Sequence, residues 1–255
     1  MNLLVLIKQV PDLVEELELN DEGTDLNRDA VQYKINEFDD HALEEALQLK
    51  AETGATVTAL ALESDEADKL LFTALAKGAD RAVKITGDFS GGVSNRVAAR
   101  AMANVIGSLQ WDLILTGVQA VDDRDGQLGM LLAGYLGAPQ VGVVTGVKVD
   151  GGKATVKKEY AGGVMGEFEV DLPAVLGIQA AREVPRYVPV SRLRQVMKTA
   201  TLEEAAAGDV AVAVGSSIRR MMKPQRDSHA TMLEGDPEQI ANSILDLLKA
   251  RGLKK

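Results

Sequence analysis

Cysteine is absent from the 255 residues, which excludes disulfides, thiolate chemistry and cysteine-ligated zinc or iron–sulfur centres. The two histidines, His41 and His229, stand far apart and argue against a histidine-based metal site. A cationic excess is missing too. The net charge of -10 leaves nothing to offset phosphate repulsion, so a general nucleic-acid binder is not expected, and proteins or small molecules are the fitting partners. The apolar run at 3–7 is too short to span a membrane and lacks a basic leader and a small-residue cleavage site; the expectation is a buried first strand in a cytoplasmic protein. Neither standard phosphate fingerprint is present. No Walker Gly-Lys-Ser/Thr occurs, and no Gly-x-Gly-x-x-Gly follows a strand.

What is present reads as a globular α/β chain. Hydrophobic residues at 46 % and charged residues at 26 % are ordinary for such a protein, and the length suits one large domain with an extension. Residues 3–7 form a continuous apolar run ended by Lys8 and Pro11, the pattern of a central parallel strand. Residues 15–29 are acidic and turn-rich, a solvated excursion. A helix follows from about 36, with Asn36 as N-cap and Asp39 as its capping-box partner. Strands at 55–62, 81–86 and 111–115 alternate with helices from 63 to 76, from 93 to 106 and from about 127. Gly78 closes the first of these. This alternation predicts an open, mostly parallel sheet with helices on both faces.

After Pro139 the pattern changes. Short apolar runs at 141–149, 154–159, 167–170 and 174–178, separated by Asp150-Gly-Gly and Ala161-Gly-Gly, predict antiparallel or mixed strands appended to the sheet edge. The nucleotide-binding α/β domain with these hairpin strands is assigned to 1–182. An extended C-terminal arm with a terminal helix is assigned to 183–255, its long connection reading as a disordered linker or as a segment that embraces and is ordered by a partner. Within the arm, 201–207 reads as a short helix, 209–218 as strand-like, and 236–251 as a helix with Asp236 at N-cap and Gly252 just past its end.

Candidate chemistry concentrates in residues 112–131. An apolar strand ends in Thr116-Gly117, a loop rich in Asp and Gly follows, and a helix begins. Such a loop either cradles a phosphate on backbone amides or is an ordinary surface connection. Asp122 and Asp123 read as an acid/base or metal pair, or as solvated or capping carboxylates. His41 reads as a satisfied or exposed residue of a first helical turn. Arg219, Arg220, Lys223 and Arg226 could hold a partner's phosphate or carboxylate, or form a solvated basic stretch. No nucleophile with a base and an orienting group stands out.

Several segments carry a resemblance. Asn36-Glu-Phe-Asp, the run from Thr73 to Arg81, Gly117-Val-Gln-Ala-Val-Asp-Asp, Leu172-Pro-Ala-Val and Pro185-Arg-Tyr are similar, in order and spacing, to the electron transfer flavoprotein β-subunit family. The stretch from Val156 to Pro173 resembles the family signature in loosened form, with Ala161 in place of an acidic residue and an unusual Val164-Met-Gly.

The resemblance implies an adenine-nucleotide alpha-hydrolase-like fold and an electron carrier without catalytic residues of its own. It implies a heterodimer in which an α subunit holds the redox-active FAD while the β subunit carries a structural AMP. Carried over residue by residue, the cofactor-binding set is Leu6, Asn36, Glu37, Phe38, Asp39 and Leu62, together with Gly117, Val118, Gln119, Ala120, Val121, Asp122, Asp123, Arg124, Asp125, Gly126, Gln127 and Leu128. Phe38 matches an aromatic that approaches the flavin. Asp122 and Asp123 then become loop-shaping or ribose-contacting groups. Leu128 replaces a frequent Thr and cannot donate a hydroxyl to phosphate. Tyr187, Val190 and Leu193 fall in the partner-docking segment, longer and more basic here than usual. The implied partners are the α subunit, acyl-CoA-type dehydrogenases and a quinone oxidoreductase or other acceptor. In an electron-bifurcating branch the β nucleotide would be a second FAD and NADH the donor. A reading from another class is a stand-alone ATP- or AMP-binding module of the same fold.

Overall fold

The computed structural model describes residues 1–89, 93–123, 125–210, 218–224 and 230–253. The sheet is built outward from β1 (Asn2–Leu6). Leu3 and Val5, with Ile7 just beyond the strand, turn to one face and Leu4 and Leu6 to the other. All are buried, because strand side chains alternate and this strand is covered on both sides. β1 pairs in parallel with β4 (Thr56–Leu62) and with β6 (Leu113–Gly117), and β5 (Arg81–Thr86) pairs in parallel beyond β4. Helices α1 (Glu37–Thr53) and α2 (Ala67–Lys77) pack on the Leu3 face. Helices α3 (Asn95–Ile106) and α4 (Leu128–Leu136) cover the Leu4 face. The α/β fold expected from the strand–helix alternation is therefore present. A small antiparallel pair, β2 (Gln9–Pro11) and β3 (Tyr33–Ile35), brackets the acidic excursion.

The second half departs from expectation in two places. β7 (Gln140–Asp150), β8 (Lys153–Tyr160) and β9 (Val164–Asp171) form the expected antiparallel meander, turned by paired glycines at positive φ. However, β10 (Ala174–Ile178) is not at the edge. It is inserted in parallel between β6 and β7, and each of its residues is buried. β7 can serve both neighbours because it bulges. Its register with β10 slips between Leu176 and Ile178, and Val143 takes φ 63, a conformation that costs an L-residue about 1–2 kcal/mol.

The second departure is at 201–207, where the expected helix is a strand, β11 (Glu203–Ala206), paired in parallel with β5. Glu and Ala favour helix, but the open edge of β5 offers unpaired backbone groups and two cations. Arg81 binds Glu203 at 2.6 and 2.8 Å, and Lys84 reaches Glu204 at 2.9 Å. Among the described residues, the strand order of the main sheet is β11-β5-β4-β1-β6-β10-β7-β8-β9. Of the strand-like stretch at 209–218, residues 211–217 lie outside the described residues, and 209, 210 and 218 carry no strand.

Among the described residues, two helices belong to the C-terminal part. α5 (Val190–Thr199) packs against α2. α6 (Pro237–Ala250) carries the expected Asp236 cap, with its side chain accepting from Glu238 and Gln239 amides, Pro at its start and Gly252 at φ 68 beyond its end. Between them, the Met221 amide donates to Gly23 O at 2.8 Å and Lys223 pairs with Glu16 at 2.7 Å, laying part of the arm on the acidic excursion. Arg226 and His229 lie outside the described residues. Among the described residues, no helix is long and apolar enough to cross a membrane.

Two carboxylates on α1 secure the chain after β10. Glu45, with 0 % exposure, accepts from the Val147 amide at 3.0 Å, the Arg182 amide at 3.0 Å and Arg182 Nε at 2.9 Å. Glu44 accepts from the amide, Nε and Nη2 of Arg186 at 2.7–3.1 Å. His41 Nδ1 accepts from the Ala181 amide at 3.2 Å, so this histidine is a satisfied structural residue. Arg182 is partly exposed, so removing its partner costs less than breaking a fully buried pair, but the buried Val147 amide and the part-buried Arg182 amide also lose their acceptor. Glu45→Ala is expected to destabilise the fold by about 3 kcal/mol, read from chemical denaturation; a loss below about 1 kcal/mol would show that water replaces the carboxylate.

Candidate functional site

The strand order defines where a ligand can enter. From β1 the chain moves outward to β4 and β5, then crosses back to β6 on the other flank. Connections leaving β1 and β6 in opposite directions open a crevice at their carboxyl ends, the usual ligand position in an open α/β sheet. The end of β1, the start of α1, and residues 118–123 and 125–127 meet there.

Asp39 organises the crevice. It is 6 % exposed, and its Oδ2 accepts from the Lys8 amide at 2.9 Å while Oδ1 accepts from the Gly117 amide at 3.0 Å. One carboxylate thus ties the start of α1 to the ends of β1 and β6. Gly117 permits the approach: a Cβ there would run into the Asp39 carboxylate and lie 2.8 Å from Phe38 Cβ. The expected capping box is therefore not formed. Asn36 holds the N-cap position, but its side chain makes no capping bond and its Nδ2 instead donates to Gln119 O at 2.8 Å. The buried strand-end amides need these acceptors more than helix amides that water can reach.

Burial pushes the Asp39 pKa up to about 7, against the side chain of Asn36 and the amides of Gly117 and Lys8, which favour the carboxylate. The folded chain therefore holds this proton more tightly than the unfolded chain does. The associated stability is fully present below the ordinary aspartate range and is lost as pH rises through about 7.

The loop after β6 is tied down along its length. Val118 donates to Ile178 O at 3.2 Å. Asp122 and Asp123 pair with Lys8 Nζ at 2.8 and 3.2 Å, and Asp123 also accepts from the Ala120 amide at 3.3 Å. Asp125 accepts from the Gln127 amide at 3.2 Å and from Asn95 at the start of α3. Gly126 sits at φ 63, where a Cβ would lie 2.9 Å from Val118 O, so the loop folds back tightly on itself. Gln127 stands at the N-cap position of α4, and Leu128 packs against the α3–α4 core. Thr116 Oγ1, just below, is buried with no hydrogen-bond partner among the described residues.

The structure brings Asn36, Asp39, Gly117, Gln119, Asp122 and Asp123 to one corner. Leu6 and Leu62, at the ends of β1 and β4, lie on the α3–α4 side of the sheet, Leu6 buried and Leu62 half-buried. Phe38 and Val118 are half-buried, Ala120 is buried, and Glu37, Val121 and Gln127 are exposed. Arg124 lies outside the described residues. Tyr187 and Val190 are exposed and Leu193 half-buried; their segment hangs from α1 through Arg186. Lys8, Asn95 and the Glu44–Glu45 latch escaped the sequence reading. Usable signals existed: two adjacent carboxylates interrupt the apolar face of α1, and Arg182 and Arg186 stand four apart downstream. Among the described residues, no His, Asp or Glu cluster could hold a metal ion.

The fold is an open α/β sheet with a topological switch point between β1 and β6, where a glycine-bearing loop is pinned by side chains. A model of the electron transfer flavoprotein domain matches residues 24–212. The chain is 34% identical over 260 residues to the electron transfer flavoprotein subunit beta of Methylophilus methylotrophus, covering 97% of this chain and 98% of that protein. It is 30% identical over 257 residues to the subunit beta of Bacillus subtilis (98% of each) and 38% identical over 193 residues to that of Clostridium acetobutylicum (76% and 74%). The chain belongs to the electron transfer flavoprotein family.

Two outcomes follow from the Asp39 corner. Gly117→Ala is expected to destabilise the fold by about 2–4 kcal/mol, because the neighbours of the new methyl group are a buried carboxylate and helix backbone; an unfolding midpoint within error of wild type would contradict the close approach. Asp39→Asn should gain on the wild type in unfolding free energy as pH is raised from about 4 to about 8. A difference that does not change with pH would show that Asp39 is not the group that titrates.

Proposed function

We propose that this chain is the β subunit of a heterodimeric electron transfer flavoprotein acting in the cytoplasm, a carrier without catalytic residues of its own. Its α partner holds the redox FAD, and its own crevice holds a structural AMP. The observation that carries this reading is the pinned glycine loop at the β1–β6 switch point, in a chain whose relatives named subunit beta align along nearly its whole length.

The residues fit a nucleotide of this kind. Leu62, half-buried and backed by the buried Leu6, supplies apolar surface for a purine. The tightly folded backbone around Gly126 and the start of α4 supply N–H groups and a helix dipole for the phosphate. Leu128 lacks a hydroxyl, so backbone amides carry the phosphate contact at that position. Asn36 and Asp39 shape the corner, and Asp122 and Asp123 shape the loop.

The flavin, when bound, supplies the electron transfer. The residues of this chain position and shield it. Phe38, beside Gly117 at the start of α1, presents an apolar ring that keeps water from the flavin edge. Tyr187, Val190 and Leu193 form an apolar docking strip, flanked by Arg192, Arg194 and Lys198, for flavin-linked dehydrogenases such as the acyl-CoA type. Electrons then leave to a quinone oxidoreductase or another acceptor.

The test is nucleotide content after co-expression and co-purification with the α subunit. One FAD and one AMP per heterodimer is the expected result. Two FAD would move the chain to the bifurcating branch with NADH as donor. A chain that purifies alone and turns over ATP would overturn the subunit assignment in favour of a stand-alone nucleotide-binding module.

A further inference from the structure

Lys8 stands outside the residue set assigned to the nucleotide, yet it is among the most constrained residues at the crevice. It is the second residue beyond β1. Its amide donates to Asp39 Oδ2 at 2.9 Å, and its carbonyl accepts from the Asn36 amide at 2.9 Å. With both backbone groups held by the start of α1, its side chain crosses to the loop of the neighbouring strand. There Nζ lies 2.8 Å from Asp122 Oδ1 and 3.2 Å from Asp123 Oδ2. About a third of the lysine side chain remains exposed, at 35%.

The charge balance of the loop makes this contact matter. Residues 117–128 hold three carboxylates, Asp122, Asp123 and Asp125, against one guanidinium, Arg124. A phosphate monoester carries nearly two negative charges at neutral pH and would meet this acidic loop on approach. Like charges brought together at a site weaken binding strongly unless a counter-charge is built in.

The loop does not need Lys8 merely to stay in place. It is tethered independently through Asn36 to Gln119 O and through Asn95 to Asp125, from opposite faces of the sheet. The Asp123 carboxylate also accepts the Ala120 amide within the loop itself.

We infer that Lys8 is a specificity-determining residue for the phosphate of the bound nucleotide: by pairing with Asp122 and Asp123 it supplies the counter-charge that lets an acidic loop accept a phosphorylated ligand. This rests on the nucleotide reading of the crevice. It goes beyond that reading in naming the group that selects AMP over its uncharged nucleoside. A lysine acting only as a structural tie would affect both ligands alike, because they share the purine and ribose.

The experiment uses the co-expressed complex, stripped of nucleotide and titrated by calorimetry with AMP and with adenosine. Wild-type complex that binds neither, and carries no adenine nucleotide as isolated, sinks the nucleotide reading and this inference with it. If wild type binds AMP, Lys8→Met should weaken AMP by about tenfold or more while adenosine changes by less than about threefold. Lys8→Arg should keep AMP within about threefold of wild type. Adding Asp122→Asn and Asp123→Asn to Lys8→Met should restore the wild-type ratio of AMP to adenosine affinity, since the uncompensated carboxylates are then gone and any ribose contact they make is common to both ligands. Equal losses for AMP and adenosine, or no loss for either, would overturn the role of Lys8 and leave the nucleotide site standing. The triple variant also serves if Lys8→Met alone folds poorly, because it carries no unpaired loop charge from these residues.

Discussion

A parallel sheet leaves the amides at its strand ends without ladder partners, and at the centre of this sheet those ends are buried. Asp39 meets that need for two strands at once, accepting from Lys8 and Gly117. Because it sits in the first turn of α1, the same carboxylate also sets where the helix begins relative to the sheet. Everything at the crevice inherits its position from this bond pair. Gly117 must be glycine to allow it, Asn36 is turned toward Gln119, and Lys8 is aimed at the following loop. A buried carboxylate with no cation in direct contact among the described residues is costly, and its raised pKa reflects that cost. The arrangement is tolerable because both oxygens are hydrogen-bonded.

Helix α1 is accordingly the element through which distant parts of the chain are arranged. Its first turn holds the loop corner. One to two turns further on, Glu44 and Glu45 capture Arg186 and Arg182. The segment carrying Tyr187 and α5 thus hangs from the same rigid helix that shapes the crevice, and α5 rests on α2 beside it. In the proposed electron carrier, the nucleotide corner and the docking strip would be fixed relative to one another by a helix and two arginine clamps, not by a flexible connection.

Much of this was legible in the residues. The apolar run at 3–7, the alternation of strands and helices to α4, the Gly-Gly hairpins and the Asp236 cap all have local causes that can be weighed in the sequence. The loop at 118–127 stood out by its Asp and Gly content, and its similarity to a family supplied an expected role for the surrounding residues. The failures share one feature. Residues 203–206 look helical by propensity and become a strand because β5 offers an edge with Arg81 and Lys84 on it. β10 looks like an edge strand and becomes central because the chain returns to fill the place beside β6. Asn36 and Asp39 match a capping box and instead serve strand ends that are far away in sequence.

The sequence by itself determined the class of fold, the hairpins, the helix ends with their own caps and the family, since these depend on composition, periodicity and short-range pattern. Only the tertiary structure decided the order of strands, the partners of the buried carboxylates and the pairing of Lys8 with Asp122 and Asp123. Those outcomes depend on which polar groups are left unsatisfied once the sheet closes. That demand arises between residues separated by up to 142 positions in the clamps described, as for Glu44 and Arg186, and no local pattern records it.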